Sequence, residues 1–138
     1  MRGERGLKVL SLFDGISCGK VALERSGFKD VTYYASEIDI DAIKISEHNH
    51  KDIIRIGDVC KVSYRNGILH TENGDFDVGK IDLLIGGSPC QSFSQAAAYS
   101  GNQTGLDGKS KLFFEYLRVL NEIKSENPNL KFLLENVK

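Results

Sequence analysis

This sequence predicts an α/β domain built on a mostly parallel sheet, on the strength of three observations. Short apolar runs alternate with helix-patterned stretches along nearly the whole chain, as they do in β-α-β units. Each of five such runs is followed at once by glycine, polar or acidic residues, which gathers the chemistry-capable side chains at one edge of the expected sheet. The 138 residues, 41% hydrophobic and 27% charged, suffice for one buried core and are too few for two ordinary domains.

The first run is Lys8 to Phe13. Ser17 to Ser26 reads as a helix because Val21, Ala22 and Leu23 cannot all face water, and Gly27 stands where such a helix ends. A second run, Val31 to Ser36, follows directly. Asp39 or Asp41 then caps a helix reaching about Asn49, with Ile40, Ile43 and Ile45 as expected core contacts, before a third run at Ile53 to Ile56. From Cys60 to Lys80 the chain is polar, and the turn signals Asn66-Gly67 and Asn73-Gly74 around Ile68-Leu69 fit either a small hairpin or a connecting loop. The fourth run, Ile81 to Ile85, suits a central buried strand, and the stretch from Gly86 to Gly108 is long enough to need a function. Lys111 to Ser125 places Phe113, Tyr116, Leu117, Leu120 and Ile123 at helical spacing, and Lys131 to Leu134 is the fifth run.

Composition narrows the function classes. No apolar run approaches the ~20 residues of a membrane span, and Met1 to Arg5 leads into the first strand without a signal-peptide core. The expectation is a soluble intracellular protein, not secreted and without a membrane partner. With 18 Lys and Arg against 19 Asp and Glu, no global basic field draws in a polyanion, so nucleic-acid binding has to come from a local surface or from outside these residues. Cys18, Cys60 and Cys90 include no Cys-x-x-Cys pair and have no clustered histidines, which speaks against disulfides and against a metal site.

Five segments fall beyond the five expected strand ends: Asp14-Gly15-Ile16-Ser17-Cys18-Gly19, Glu37, Gly57-Asp58, Gly86-Gly87-Ser88-Pro89-Cys90 and Glu135-Asn136. A glycine turn followed about 20 residues later by an acid at the next strand end is how a Rossmann-like domain holds a nucleoside. Gly15 and Glu37 fit that arrangement. The turn departs from G-x-G-x-x-G, and Asp14 puts a negative charge where a pyrophosphate would lie. This favours a cationic ligand such as the sulfonium of S-adenosylmethionine, while the alternative is an ordinary turn with Asp14 as a cap and Glu37 solvated. Asp58 offers an acceptor for an adenine amino group. Cys90, after Pro89 in a polar glycine-flanked segment, reads as a held, accessible thiol, whereas Cys18 and Cys60 read as small buried side chains.

These residues closely resemble the cytosine-C5 DNA methyltransferases. The resemblance rests on Phe13-Asp14-Gly15-Ile16-Ser17-Cys18-Gly19, on Gly87-Ser88-Pro89-Cys90-Gln91-Ser92-Phe93-Ser94, on Gly105-Leu106 through Leu112-Phe113-Phe114, and on Glu135-Asn136-Val137. It implies a Rossmann-like S-adenosylmethionine-dependent fold. Phe13, Asp14, Gly15, Ile16, Ser17, Glu37, Ile38, Asp58, Val59 and Pro89 would form the cofactor site. By the same resemblance, Cys90 is the thiolate that adds to C6 of a cytosine flipped out of double-stranded DNA, and Glu135 hydrogen-bonds the ring's N3 and amino group. The family continues past the Glu-Asn-Val motif with further strands and a target-recognition region. Residues 1–138 are therefore expected to be a partial catalytic domain, its sheet incomplete at the C-terminus and inactive alone. Such a domain would pair with a missing C-terminal half or self-associate, in the cytoplasm of a bacterial or phage-infected cell and in a restriction-modification setting. Two alternatives stay open, a catalytically silent regulatory module of the same fold and a related tRNA cytosine methyltransferase.

Overall fold

In a computed structural model, which describes residues 6–87 and 105–135, the chain alternates as the sequence predicts. Strand β1 (Leu7–Leu12), helix α1 (Cys18–Arg25), β2 (Val31–Ser36), α2 (Ile40–Asn49) and β3 (Ile54–Gly57) come first. A 3-10 turn (Val59–Lys61) leads into three short strands, β4 (Ser63–Arg65), β5 (Ile68–Thr71) and β6 (Gly74–Asp77). Then follow β7 (Leu83–Gly87), α3 (Gly105–Glu126) and β8 (Lys131–Glu135). Five strands form one sheet in the order β3-β2-β1-β7-β8, and every pair is parallel.

The two faces of this sheet follow from strand alternation. Leu10 and Leu12 of β1, Tyr34 of β2, Ile56 of β3 and Leu84 of β7 bury one face against Tyr116, Val119, Leu120 and Ile123 of α3 and against Val62, Tyr64 and Leu69. Their odd-numbered neighbours Val9, Tyr33 and Ala35 bury the other face, with Leu23 of α1 packed beside them. Strands buried on both faces read as continuous apolar runs, and for that reason they were visible in the sequence. Helix α1 ends as expected at Gly27: Gly27 N–H donates to Glu24 O at 3.1 Å and Phe28 N–H to Leu23 O at 3.1 Å, a Schellman closure. Asp39, not Asp41, caps α2, accepting from Asp41 N at 3.0 Å and Ala42 N at 3.3 Å.

The open question between Cys60 and Lys80 resolves as a three-stranded antiparallel sheet, β4-β5-β6. Asn66 (φ 54°) and Gly67 (φ 77°) form its first turn, both left-handed as a two-residue hairpin loop requires. Carboxylates of α3 hold it in place. Glu122 accepts from Tyr64 N at 2.9 Å, and Glu126 accepts from Asn66 N at 2.6 Å and Gly67 N at 3.1 Å.

Several burial expectations are corrected. Ile40 and Ile45 are exposed on α2, and the inward position is held by Ser46, which is fully buried. Phe113 is exposed as well, whereas on α1 Val21 and Leu23 are half-buried and only Ala22 of the three faces water, as the sequence allows. Cys18 and Cys60 are exposed instead of buried, since one opens α1 and the other lies in the 3-10 turn. Partial desolvation, followed by the Asp58 and Glu115 carboxylates, pushes the Cys60 thiol pKa up, so it stays protonated. On β8, at the edge of the sheet, Phe132, Leu133 and Leu134 are all exposed. No helix among the described residues is long and apolar enough to cross a membrane.

Candidate functional site at the carboxyl edge of the sheet

The strand register brings the expected segments together. Gly57, Ser36, Leu12, Gly86 and Leu134 form one row across all five strands. The residues one step further, Asp58, Glu37, Phe13, Gly87 and Glu135, therefore stand along the same edge. Gly87 and Glu135 are register partners, so the backbone sets Glu135 beside the strand that leads towards Cys90. Pro89 and Cys90 lie outside the described residues, and Glu135 is placed here by its backbone alone.

A small cleft opens at the β1-β2-β3 side of this edge, lined by Phe13, Ser36, Glu37, Ile38, Asp58, Val59 and Leu112. Five of these seven were expected from sequence. Ser36 and Leu112 were not. Ser36 Oγ donates to Gly57 O at 2.7 Å across a register shift between β2 and β3, which bends the end of β3 and carries Asp58 to the cleft. Leu112 extends the apolar wall from α3; its place in the Leu112-Phe113-Phe114 stretch was the available signal.

The β1–α1 turn has an unusual backbone. Phe13 (φ 56°), Gly15 (φ 63°) and Ser17 (φ 74°) all lie in the left-handed region. Only Gly15 adopts this without steric penalty, and non-glycine residues held there concentrate at functional sites. Glu37 pins the turn: its Oε1 accepts from Gly15 N at 2.6 Å, and its Oε2 accepts from Ile38 N at 3.1 Å and Asp39 N at 3.0 Å. An ionised carboxylate has about four acceptor sites, so among the described residues these three bonds leave one acceptor position on Glu37, which lines the cleft.

Asp14 does not behave as the simple cap weighed from sequence. Its Oδ1 accepts from Ser11 Oγ at 2.6 Å and Tyr33 OH at 2.7 Å, and its Oδ2 accepts from Ser17 Oγ. Burial, then the Asp14 charge, pushes the Tyr33 phenol pKa far up, so it remains a donor. Ile16 is exposed beside this turn, and Ser17 is fully buried. Asp58 Oδ1 accepts from Cys60 N at 2.9 Å, and Asp58 N–H donates to Glu72 Oε2 at 2.7 Å. Glu72, brought in by the β5–β6 turn, was not anticipated, and a single acid in a polar loop carries no local signal of this placement. Arg118 of α3 donates to Val59 O at 3.1 Å while bound by Glu115 and Glu122.

The cleft suits a nucleoside. Phe13, Ile38, Val59 and Leu112 give it apolar walls for a flat ring, and the carboxyl-bearing Glu37 and Asp58 are part of the same lining.

Comparison with known proteins agrees in family. The family model for C-5 cytosine-specific DNA methylase matches residues 7–138. Relatives include the orphan methyltransferase M.Rho11sI of Bacillus phage rho11s, 37% identical over 134 residues, covering 96% of this chain and 23% of that protein. The type II methyltransferase M.FnuDI of Fusobacterium nucleatum is 36% identical over 132 residues, covering 96% of this chain and 33% of that protein. The chain thus spans between about a quarter and a third of these relatives. Among solved structures, a TehB-like SAM-dependent methyltransferase from Corynebacterium glutamicum aligns with TM-score 0.44 at 15% identity, over 83% of this chain and 65% of that one.

Proposed function

The chain belongs to the C-5 cytosine-specific DNA methylase family, and from that premise we propose that residues 1–138 are the cofactor-holding and nucleophile-bearing part of a DNA cytosine-C5 methyltransferase. The observation that carries this reading is the row of strand ends at which Phe13, Glu37, Asp58, Gly87 and Glu135 meet along one edge. S-adenosylmethionine, when bound, supplies the methyl group on its sulfonium. Glu37 uses its remaining acceptor position for a ribose hydroxyl, Asp58 accepts from the adenine amino group, and Phe13, Ile38, Val59 and Leu112 enclose the ring.

In this reading the Cys90 thiolate would form a bond to cytosine C6, placing the C5–C6 π electrons on C5 so that this carbon could accept the methyl group the bound cofactor would supply. Transfer of the C5 proton to a water molecule would then let the C6–sulfur bond break, returning the Cys90 thiolate and the C5–C6 double bond. Glu135 hydrogen-bonds N3 and the amino group, stabilising the charge that gathers on the ring. Flipping a cytosine out of duplex DNA costs a few kcal/mol, and a chain of net charge -1 has little electrostatic means to offset it. Residues 1–138 alone are therefore inactive and need the regions that the relatives carry outside the matched segment.

Calorimetry with S-adenosylmethionine tests the cofactor reading. Glu37→Ala removes a charged hydrogen bond to the ligand and the anchor of the Gly15 turn, and is expected to weaken binding by about tenfold or more. Binding that is unaffected by Glu37→Ala would put the cofactor elsewhere. Light scattering tests a second consequence. Leu133 is 62% and Phe132 50% exposed on β8, the edge strand of the sheet among the described residues, so residues 1–138 on their own are expected to dimerise or assemble further, whereas a concentration-independent monomer would contradict pairing through β8.

A further inference from the structure

One chain of side-chain hydrogen bonds joins β3 to the β1–α1 turn, and none of its four side chains belongs to a residue that lines the cleft. Arg55 Nη2, on β3, donates to Ser46 Oγ on α2; Ser46 Oγ and Ser17 Oγ are 2.5 Å apart; Ser17 Oγ donates to Asp14 Oδ2. The direction of the middle bond follows from proton counting. A hydroxyl carries one hydrogen, and that of Ser17 goes to the carboxylate. Ser46 must therefore donate to Ser17 and accept from Arg55, whose guanidinium has donors only. A cation on β3 is thus wired to an anion in the β1–α1 turn through two serines that are both 0% exposed.

Two further observations give this chain a purpose. Among the described residues, Nε and Nη1 of Arg55 are buried without a hydrogen-bond partner, so Ser46 is what the guanidinium holds on to, an arrangement that packing alone does not favour. Ser17 is the N-cap residue of α1 yet makes no side-chain cap bond. Its hydroxyl is drawn to Asp14 instead, while its backbone is kept left-handed at φ 74°. A half-buried guanidinium with two unpaired N–H groups and a strained helix start without a side-chain cap persist together only where the surrounding structure holds them.

We infer that Arg55 and Ser46 are positioning residues for the cofactor: acting through Ser17 and Asp14, they hold the β1–α1 turn in the conformation that presents the Gly15 N–H to Glu37. The inference rests on the cofactor reading of the cleft. Its test has two readouts on residues 1–138, the affinity for S-adenosylhomocysteine and the amide hydrogen exchange of Gly15 and Ser17 without ligand. Leu69 of β5 serves as the internal control for global unfolding.

Ser46→Ala and Arg55→Met are each expected to speed exchange at Gly15 but not at Leu69, and to weaken binding about tenfold. The double variant should be no weaker than about tenfold, where independent sites would multiply to about a hundredfold. Arg55→Lys, which keeps a charged donor, should recover part of both effects. If the parent chain binds no ligand while Gly15 exchange still responds to Arg55→Met, the cofactor reading fails and the coupling between β3 and the turn stands. Unchanged exchange at Gly15, or effects that multiply in the double variant, would overturn the relay.

Discussion

Replacing Cys90 with serine is expected to reduce methyl transfer to background. The measurement uses residues 1–138 supplied with a polypeptide carrying the regions of its relatives beyond the matched segment, labelled S-adenosylmethionine and a cytosine-rich duplex. A hydroxyl is far less ionised than a thiol at neutral pH and adds poorly to C6, so the loss should be at least about a thousandfold, in the range seen when a covalent nucleophile is removed. Because the proposed role of Cys90 is towards the cytosine and not the cofactor, cofactor affinity should stay at the parent value. Glu135→Gln should lower transfer with the same neutrality towards cofactor. Transfer that survives Cys90→Ser would overturn the assignment of the nucleophile.

The second large effect is on stability and comes from Gly86. It lies in the central strand β7, between Leu12 of β1 and Leu134 of β8. A Cβ at this position would meet Tyr116 Cε2 at 2.5 Å and Cδ2 at 2.7 Å, and Leu134 Cδ1 at 3.4 Å. The ring cannot easily retreat. Tyr116 is buried between α3 and the sheet, its hydroxyl donates to Leu133 O at 3.0 Å, and burial pushes its pKa up to about 12. Gly86→Ala should therefore cost about 2 kcal/mol, as overpacking of a close-packed core does, and lower Tm by roughly 8 °C for a domain of this size. Adding Tyr116→Leu should return part of that loss by making room. Thermal melts of the parent, single and double variants decide it, and a Gly86→Ala protein as stable as the parent would mean that α3 does not clamp the end of β7.

The strands and the edge they form were legible because local chemistry determined them. β2 occupies Val31–Ser36 as expected, and β1, β3, β7 and β8 lie within a few residues of their apolar runs. Strands buried on both faces must be apolar throughout, and a parallel sheet then sends every following turn to one edge. Helix α2 was misjudged for an equally physical reason. Isoleucines at helical spacing suggested an apolar seam, but the inward position belongs to Ser46, whose partners are Ser17 and Arg55. Nothing in the neighbourhood of Ser46 announces a bond to residues 29 positions before it and 9 after it.

The same holds for the second sheet. Asn66-Gly67 declared its turn, yet the carboxylates that hold it, Glu122 and Glu126, come from about 60 residues further on. Leu112 joins the cleft from a comparably distant part of the chain, and Glu72 bonds Asp58 across 14 positions. Hydrogen bonds across such separations are products of the fold and leave no periodic trace in the sequence.

The central claim is that the strand ends of β1, β2 and β3 hold the cofactor. Titrating S-adenosylhomocysteine into 15N-labelled residues 1–138 and following the backbone amides tests it most directly. The account predicts saturable shifts at Phe13, Gly15, Ile38, Asp58, Val59 and Leu112, with Asn66 and Gly67 of the β4–β5 turn unmoved. Saturable shifts that cluster away from the β1-β2-β3 edge, or no saturable shift at any concentration reached, would contradict it.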